Sequence, residues 1–228
     1  MKVVVNVGGS VLAPDLEPDR VADYAAAIQS LDSAGHTLGA VVGGGPTARE
    51  YIGTARELGA NEIELDQLGI AVTRLNGRLL IAALDDRAAA APAESYESGR
   101  EAIRRGDIPV LGGIVAAQTT DAVAAAFAEY VGADLLVYAT SVNGVYSADP
   151  DSDSEATQFD QLTAGELVDV IADIEMNAGS SAPVDLLAAK VIERSGIRTI
   201  VLDGTDPQRV VDAVQDGEFE GTEILPEA

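Results

Sequence analysis

Leu135–Pro150 reads LLVYATSVNGVYSADP. Leu135 to Tyr138 form an unbroken apolar run, as expected of a strand buried on both faces. The run ends in the small residues Ala139, Thr140 and Ser141, and Asn143-Gly144 is a turn signal because both residue types tolerate φ > 0. Tyr146 then offers a flat ring, and Asp149 offers an acceptor fixed by Pro150. In open α/β sheets ligands lie beyond the carboxyl ends of the strands. A strand ending this way therefore suits a planar heterocycle; the plainer alternative is a hairpin-like loop with a surface tyrosine.

Working outward, the same layout recurs. Val3–Val7 is a short apolar strand running into Gly8-Gly9-Ser10. Glu17–Ala34 reads as an amphipathic helix closed by Gly35, with His36 just beyond it as a local carbonyl partner. Thr37–Val42 is a second strand, ending in Gly43-Gly44-Gly45. Pro46 opens a helix to about Leu58, and Arg49 lies one turn in. Strand, glycines and helix N-terminus together make an anion-binding geometry. No GK[ST] follows, so this is not a Walker A loop.

Ile63–Leu84 contains a long helix whose stripe is Ile70, Thr73, Leu75, Leu79, Leu80 and Ala83, with Asp66 near its start. Asp66 is either a surface carboxylate or an acceptor for a sugar hydroxyl. Tyr96–Arg105 is helical, and Ile108–Leu111 is a third strand, again ending in glycines, Gly112-Gly113. After the loop Ile114–Gln118, Thr119-Thr120-Asp121 starts an Ala-rich helix that ends at Gly132.

Beyond the opening stretch, Asp149–Asp160 is an acidic loop lacking the glycine and terminal glutamate of a calcium loop. Thr163–Glu166 is a capping box, Asn177–Pro183 is small and polar, and Val184–Ser195 is a helix carrying Asp185 and Lys190. Thr199–Leu202 is a strand, Asp206–Val214 a helix, and Gly221–Leu225 a short edge strand. Strands and helices alternate throughout, which predicts a mainly parallel sheet with helices on both faces.

With 228 residues and no linker, the chain is read as one domain, residues 1–228. Hydrophobic residues make up 47% and aromatics only 4%, so the core is built from Ala, Val, Leu and Ile. There is no cysteine, which excludes disulfides and thiolate metal sites. No apolar run is long enough to span a membrane. The net charge is −24, carried with only two lysines, Lys2 and Lys190. Nucleic-acid binding needs basic clusters, and the chain has none. Such acidity in a chain with clear periodicity reads as adaptation to high salt, where the Debye length falls to about 3 Å.

In order, Gly8-Gly9-Ser10, Gly43-Gly44-Gly45 with Arg49, Thr119-Thr120-Asp121, Asn143–Tyr146 with Asp149-Pro150, and Asp185 with Lys190 resemble the amino-acid kinase family over nearly the whole chain. VGGSVL, GGGPTAREY, DQLGIAVTRLNGRLL, TTDAVAA and SVNGVYSADP are similar to its archaeal uridylate kinase group. The resemblance implies a three-layer αβα sandwich, cytosolic and hexameric, catalysing ATP + UMP → ADP + UDP with Mg²⁺ carried by ATP, as a step in pyrimidine nucleotide synthesis. Its N-terminal part would bind UMP and its C-terminal part ATP. By the same resemblance Gly9, Ser10, Gly45 and Arg49 would hold ATP phosphates, and Thr140, Ser141, Tyr146 and Asp149 the adenosine. Gly44 would meet the UMP phosphate, Asp66 its ribose, and Ile114, Val115, Ala116, Ala117, Gln118, Thr119 and Thr120 the rest of UMP. Asp121 and Asp185 would orient donors, and Gly179–Ala182 would cover the nucleotide.

One position departs from the family. Many members carry a lysine two residues before the first glycine of the glycine loop, where this chain has Asn6. Either the archaeal group does without this lysine, or another cation substitutes, from among Lys190, Arg49 and Mg²⁺; Lys190 is expected to do so, and Lys190→Ala to lower kcat about tenfold or more. Two other functions are weighed: a kinase of another small acceptor, such as isopentenyl phosphate, carbamate or acetylglutamate, and a non-catalytic nucleotide-binding or storage protein.

Overall fold

The computed structural model describes residues 1–150, 153–175 and 183–226. The Gly179–Ala182 segment expected to cover the nucleotide lies outside them. The elements run β1 (Lys2–Val7), α1 (Gly9–Leu12), α2 (Pro18–Ser33), β2 (Thr37–Val42), α3 (Gly45–Glu57), α4 (Glu62–Ala83), α5 (Tyr96–Arg105), β3 (Val110–Leu111), α6 (Thr120–Val131) and β4 (Leu135–Thr140). They continue as β5 (Gln161–Thr163), α7 (Ala164–Glu175), α8 (Leu186–Ser195), β6 (Arg198–Asp203), α9 (Gln208–Gln215) and β7 (Gly221–Leu225).

The described strands form one sheet in the order β3-β2-β1-β4-β6-β7-β5. Every pairing is parallel except β6 with β7. Alternation sends Val3, Val5 and Val7 of β1, with Leu135, Val137 and Ala139 of β4, into a core shared with α2, α4 and α9. Val4, Leu136 and Tyr138 enter a second core against α6, α7 and α8. The result is the three-layer αβα sandwich, with β1 and β4 buried on both faces. Asn6, on the second face, is a polar exception, and it is only 3% exposed. After β1 the chain adds β2 and β3 on one side and then crosses to β4 on the other, so a topological switch point lies between β1 and β4.

Several local expectations need correction. Gly9–Leu12 is a helical turn rather than only a loop. The third strand pairs only at Val110–Leu111, with Ile108 bridging to Ala88. Gly221–Leu225 is not an edge: it lies between β6 and β5, and β5, absent from the sequence reading, takes the edge. Asn143-Gly144 takes a positive φ only at Gly144, where +154° admits the side chain of Thr222. His36 Nδ1 is buried without the expected partner among the described residues.

The inner face of α4 also differs from the expected stripe. Leu75 and Leu79 are 58% and 42% exposed. The buried positions are Leu65, Val72, Thr73, Asn76, Gly77 and Leu80. Thr73 and Leu80 of the expected stripe are buried, and Asn76 joins them on the inner face, where Asn76 and Thr73 bond to backbone at the sheet end.

Candidate active site

The turns after β1 and β2 are packed backbone against backbone. A Cβ on Gly9 would sit 2.2 Å from the amide nitrogen of Gly45 and 2.6 Å from the carbonyl carbon of Gly43. Gly45, at φ +63°, would place a Cβ 2.4 Å from Gly9. Side chains at either position would force the turns apart. Asn76 of α4 clasps the second turn, donating from Nδ2 to the carbonyls of Gly43 and Gly44 at 2.9 and 3.2 Å. Gly43 itself donates to Val7 at 2.9 Å, tying that turn back to β1.

The glycines after β3 serve another purpose. A Cβ on Gly112 would lie 2.4 Å from Thr73 Oγ1, and one on Gly113 2.8 Å from Ile70. Gly113 donates its N–H to Thr73 Oγ1 at 2.8 Å, so this amide is spent inside the protein. Both glycines admit α4, and Gly113 also lines the second depression described below. The following loop is held by Asp66 of α4, whose carboxylate accepts the Ala117 amide at 2.7 Å. Ala117 has φ +64°, a left-handed conformation that costs a non-glycine residue about 1 kcal/mol or more and marks a constrained loop.

Two depressions open on this end of the sheet. The first, about 380 Å³, lies over the ends of β1, β2 and β4. It is lined by Gly9, Ser10, Gly45 and Arg49 on one side and by Thr140, Ser141, Tyr146 and Asp149 on the other, with Asn6 and Asp121 also in its wall. The second, about 520 Å³, lies between α3, α4 and the loop after β3; Asp66, Ala117, Gln118 and Thr119 line it. Gly44, Gly45, Arg49 and Thr120 belong to both. Of the described residues in the two linings, Arg49 alone is cationic.

The wall of the first depression is polar and carboxyl-rich. Asn6 Nδ2 donates to Asp121 Oδ1 at 2.7 Å. Burial, and secondarily the nearby carboxylate of Asp185, push the Asp121 carboxyl up to about 7, while the Asn6 bond acts in the opposite sense. Asp185 caps α8, accepting the Ala188 amide at 3.0 Å, and takes the Thr119 hydroxyl as well. The loop after β4 is braced from behind. Gln158 donates to the Asn143 carbonyl at 3.0 Å and receives the Asn143 side chain at 3.2 Å. Thr222 Oγ1 accepts the Val145 amide at 2.8 Å.

Most residues expected at the site from the sequence are thus brought together. Three positions of the loop after β3 are not: Ile114 packs against the second core, Val115 is 57% exposed, and Ala116 lines neither depression. Asp185 lines neither depression and reaches the site through the Thr119 hydroxyl, and Lys190 stands apart. It is exposed on α8, its ammonium is paired with Glu193 at 3.0 Å, and it lines neither depression. The structure does not bring it together with Asn6 and Arg49. Asn76, Gln158 and Thr222 were not singled out in the sequence, and Thr73 was read only as part of the α4 stripe, because a lone polar residue carries no spacing signal for the backbone group it reaches.

The Amino acid kinase family model matches residues 1–203. The chain is 85% identical over its full length, and that of the relative, to a uridylate kinase of Haloarcula marismortui. It is 70% identical to a uridylate kinase of Halobacterium salinarum, covering 100% of this chain and 94% of that one. The crystal structure of uridylate kinase from Archaeoglobus fulgidus superposes with a TM-score of 0.87 at 44% identity, covering 98% of this chain and 100% of that one. The family model and the likeness of sequence and fold extend along nearly the whole chain, which belongs to the amino-acid kinase family.

Proposed function

We propose that the protein transfers the γ-phosphoryl group of ATP to UMP, giving ADP and UDP. The observation that carries this reading is the meeting of the two depressions at Gly44, Gly45, Arg49 and Thr120. Phosphoryl transfer asks little covalent chemistry of the protein; it asks that two polyanions be held in line while charge is neutralised. Two pockets sharing one amide-rich wall fit that demand. The uridylate kinase names of its relatives agree with it.

In this reading the first depression takes ATP. Gly9, Ser10, Gly45 and Arg49 hold its phosphates, the last two at and near the N-terminus of α3, where unpaired amides and the helix dipole favour anions. Thr140, Ser141, Tyr146 and Asp149 take the adenosine. The second depression takes UMP: Gly44 meets its phosphate, Asp66 its ribose, and Ala117, Gln118, Thr119 and Thr120 close around it. The N-terminal part thus serves mainly the acceptor and the C-terminal part mainly the donor. One arginine does not balance two nucleotides, so Mg²⁺ on the ATP phosphates fits the lining; it would neutralise charge between the β- and γ-phosphates.

We further place the protein in the cytosol, in pyrimidine nucleotide synthesis, as a homohexamer. Self-association is supported by apolar side chains left bare on α3, at its C-cap and on α4: Tyr51, Leu58 and Ile63 are 57%, 83% and 52% exposed, and Leu75 and Leu79 are exposed as well. No helix of the described residues is long and apolar enough to cross a membrane.

The test is ADP release in molar potassium chloride against a panel of UMP, other nucleoside monophosphates, isopentenyl phosphate, carbamate and acetylglutamate. UMP turning over with the highest kcat/KM is the expected result. Turnover of another acceptor in its place, or ATP binding with no turnover, would overturn it in favour of a different kinase or a storage protein.

A further inference from the structure

Asp121 is an unusual neighbour for a triphosphate. It lies in the wall of the ATP depression, and among the described residues no cation is bonded to it. The groups packed around it can be named element by element. From β1 comes Asn6, whose Nδ2 donates to Oδ1. From β4 comes the buried phenol of Tyr138, which donates to the Asp121 backbone carbonyl at 2.9 Å and leaves the side chain alone. From α8 comes the carboxylate of Asp185, engaged by Thr119 and Ala188. From α3, Arg49 faces the same depression. Asn6 Oδ1 is buried and has no partner among the described residues, so among them the corner is rich in acceptors and short of hydrogens.

An ionised carboxylate in that corner opposes the proposed ligands. The reaction gives it no work as a base, because a phosphate monoester is already mostly dianionic near neutral pH. What the reaction rewards is a donor aimed at phosphoryl oxygens where charge accumulates. A carboxylic acid kept neutral by its surroundings can be such a donor. Burial and Asp185 already raise the Asp121 carboxyl to about 7, and an arriving polyanion raises it further.

Building on the ATP-binding reading above, we propose that Asp121 works in its neutral form, its carboxylic O–H donating a hydrogen bond to a phosphoryl oxygen of the bound nucleotide while Asn6 secures its other oxygen. The proton stays on Asp121 throughout. Asp121 is then a catalytic residue by contact, and Asn6, at the family's lysine position, its positioning residue.

The experiment is calorimetric titration of a non-hydrolysable ATP analogue with Mg²⁺ into the full chain, in molar potassium chloride at about pH 7 to 8, in buffers of different ionisation enthalpy. Because binding raises the carboxyl's affinity for its proton, the wild type takes up a fraction of a proton, roughly half, that Asp121→Asn does not. Equal proton uptake in the two proteins overturns the proposal. It does so without reference to UMP, so failure here and failure of the kinase reading are separable. In turnover, Asp121→Asn keeps a neutral donor of the same shape. It is expected to retain at least about tenfold more kcat than Asp121→Ala and to lose the wild type's decline at alkaline pH. An asparagine variant as inactive as the alanine variant would show that the negative charge is needed. Should either variant fold poorly, isotope-edited infrared spectroscopy of the wild type with the analogue bound decides: a protonated-acid carbonyl band at Asp121 supports the proposal, and a carboxylate band alone overturns it.

Discussion

Two strand ends in this molecule carry glycine runs that look alike on paper and act differently. At β1 and β2 the glycines let one turn lie against the other, which brings the entry to α3 beside Gly9. At β3 the glycines make room for Thr73 and Ile70 of α4, and the Gly113 amide is consumed by Thr73. The first pair builds the shared wall of the two depressions. The second admits α4 and sets the position of one wall of the second depression, which Gly113 and the loop that follows both line. Glycine therefore marks a close approach here, and only the identity of the approaching group tells a binding loop from a packing joint.

The comparison breaks most visibly at Gly9. Gly9→Ala drives a methyl group into the Gly43–Gly45 backbone, which has no flexible side chain to yield. Steady-state kinetics should show kcat/KM for both substrates falling at least about a hundredfold, since small misplacements of reacting groups carry penalties of that order. Gly112→Ala, by contrast, meets Thr73 and the backbone of α4, and should act mainly as overpacking. Chemical denaturation should give a loss of about 1–3 kcal/mol, with ATP affinity little changed. Equal effects of the two substitutions on ATP affinity would erase the distinction.

A smaller effect sharpens the second half of the comparison. Asp66→Ala removes the acceptor that holds Ala117 in its left-handed conformation. The KM for UMP should rise about tenfold, the size of one hydrogen bond to a charged group, while calorimetric ATP affinity stays within about twofold. A matching loss for ATP would mean that the loop supports both pockets. The smallest effect is expected at Lys190. Its ammonium is exposed and paired with Glu193, a contact of the kind worth about 1 kcal/mol or less. Lys190→Ala should change kcat by less than about twofold. The tenfold loss expected from sequence would require the ammonium to leave Glu193 and enter the cleft.

Strand ends and helix starts were legible because they follow local rules: apolar runs, glycine turns, capping residues. Thr37–Val42 and Tyr96–Arg105 coincide with their elements for that reason. The clustering of Gly9, Gly45, Thr140 and Asp121 was legible as a recurrence of strands with similar ends. What local rules cannot show is which residue reaches across. Asn76 sits between Leu75 and Gly77 with an arginine on either side of them, which reads as a polar surface, yet it clasps the turn after β2 from the buried face. Lys190 lies five residues after Asp185 in sequence, and a helix of 3.6 residues per turn carries it away from the cap it was read with. The edge position of β5 was hidden because three residues with one buried side chain leave no periodicity to read.

The most direct test of the account is competition by adenosine and uridine joined through a pentaphosphate. If the two depressions meet at Gly44, Gly45, Arg49 and Thr120, this dinucleotide spans both, and inhibition in molar potassium chloride should be competitive against ATP and against UMP alike. Competition against only one of them would contradict a shared phosphate wall.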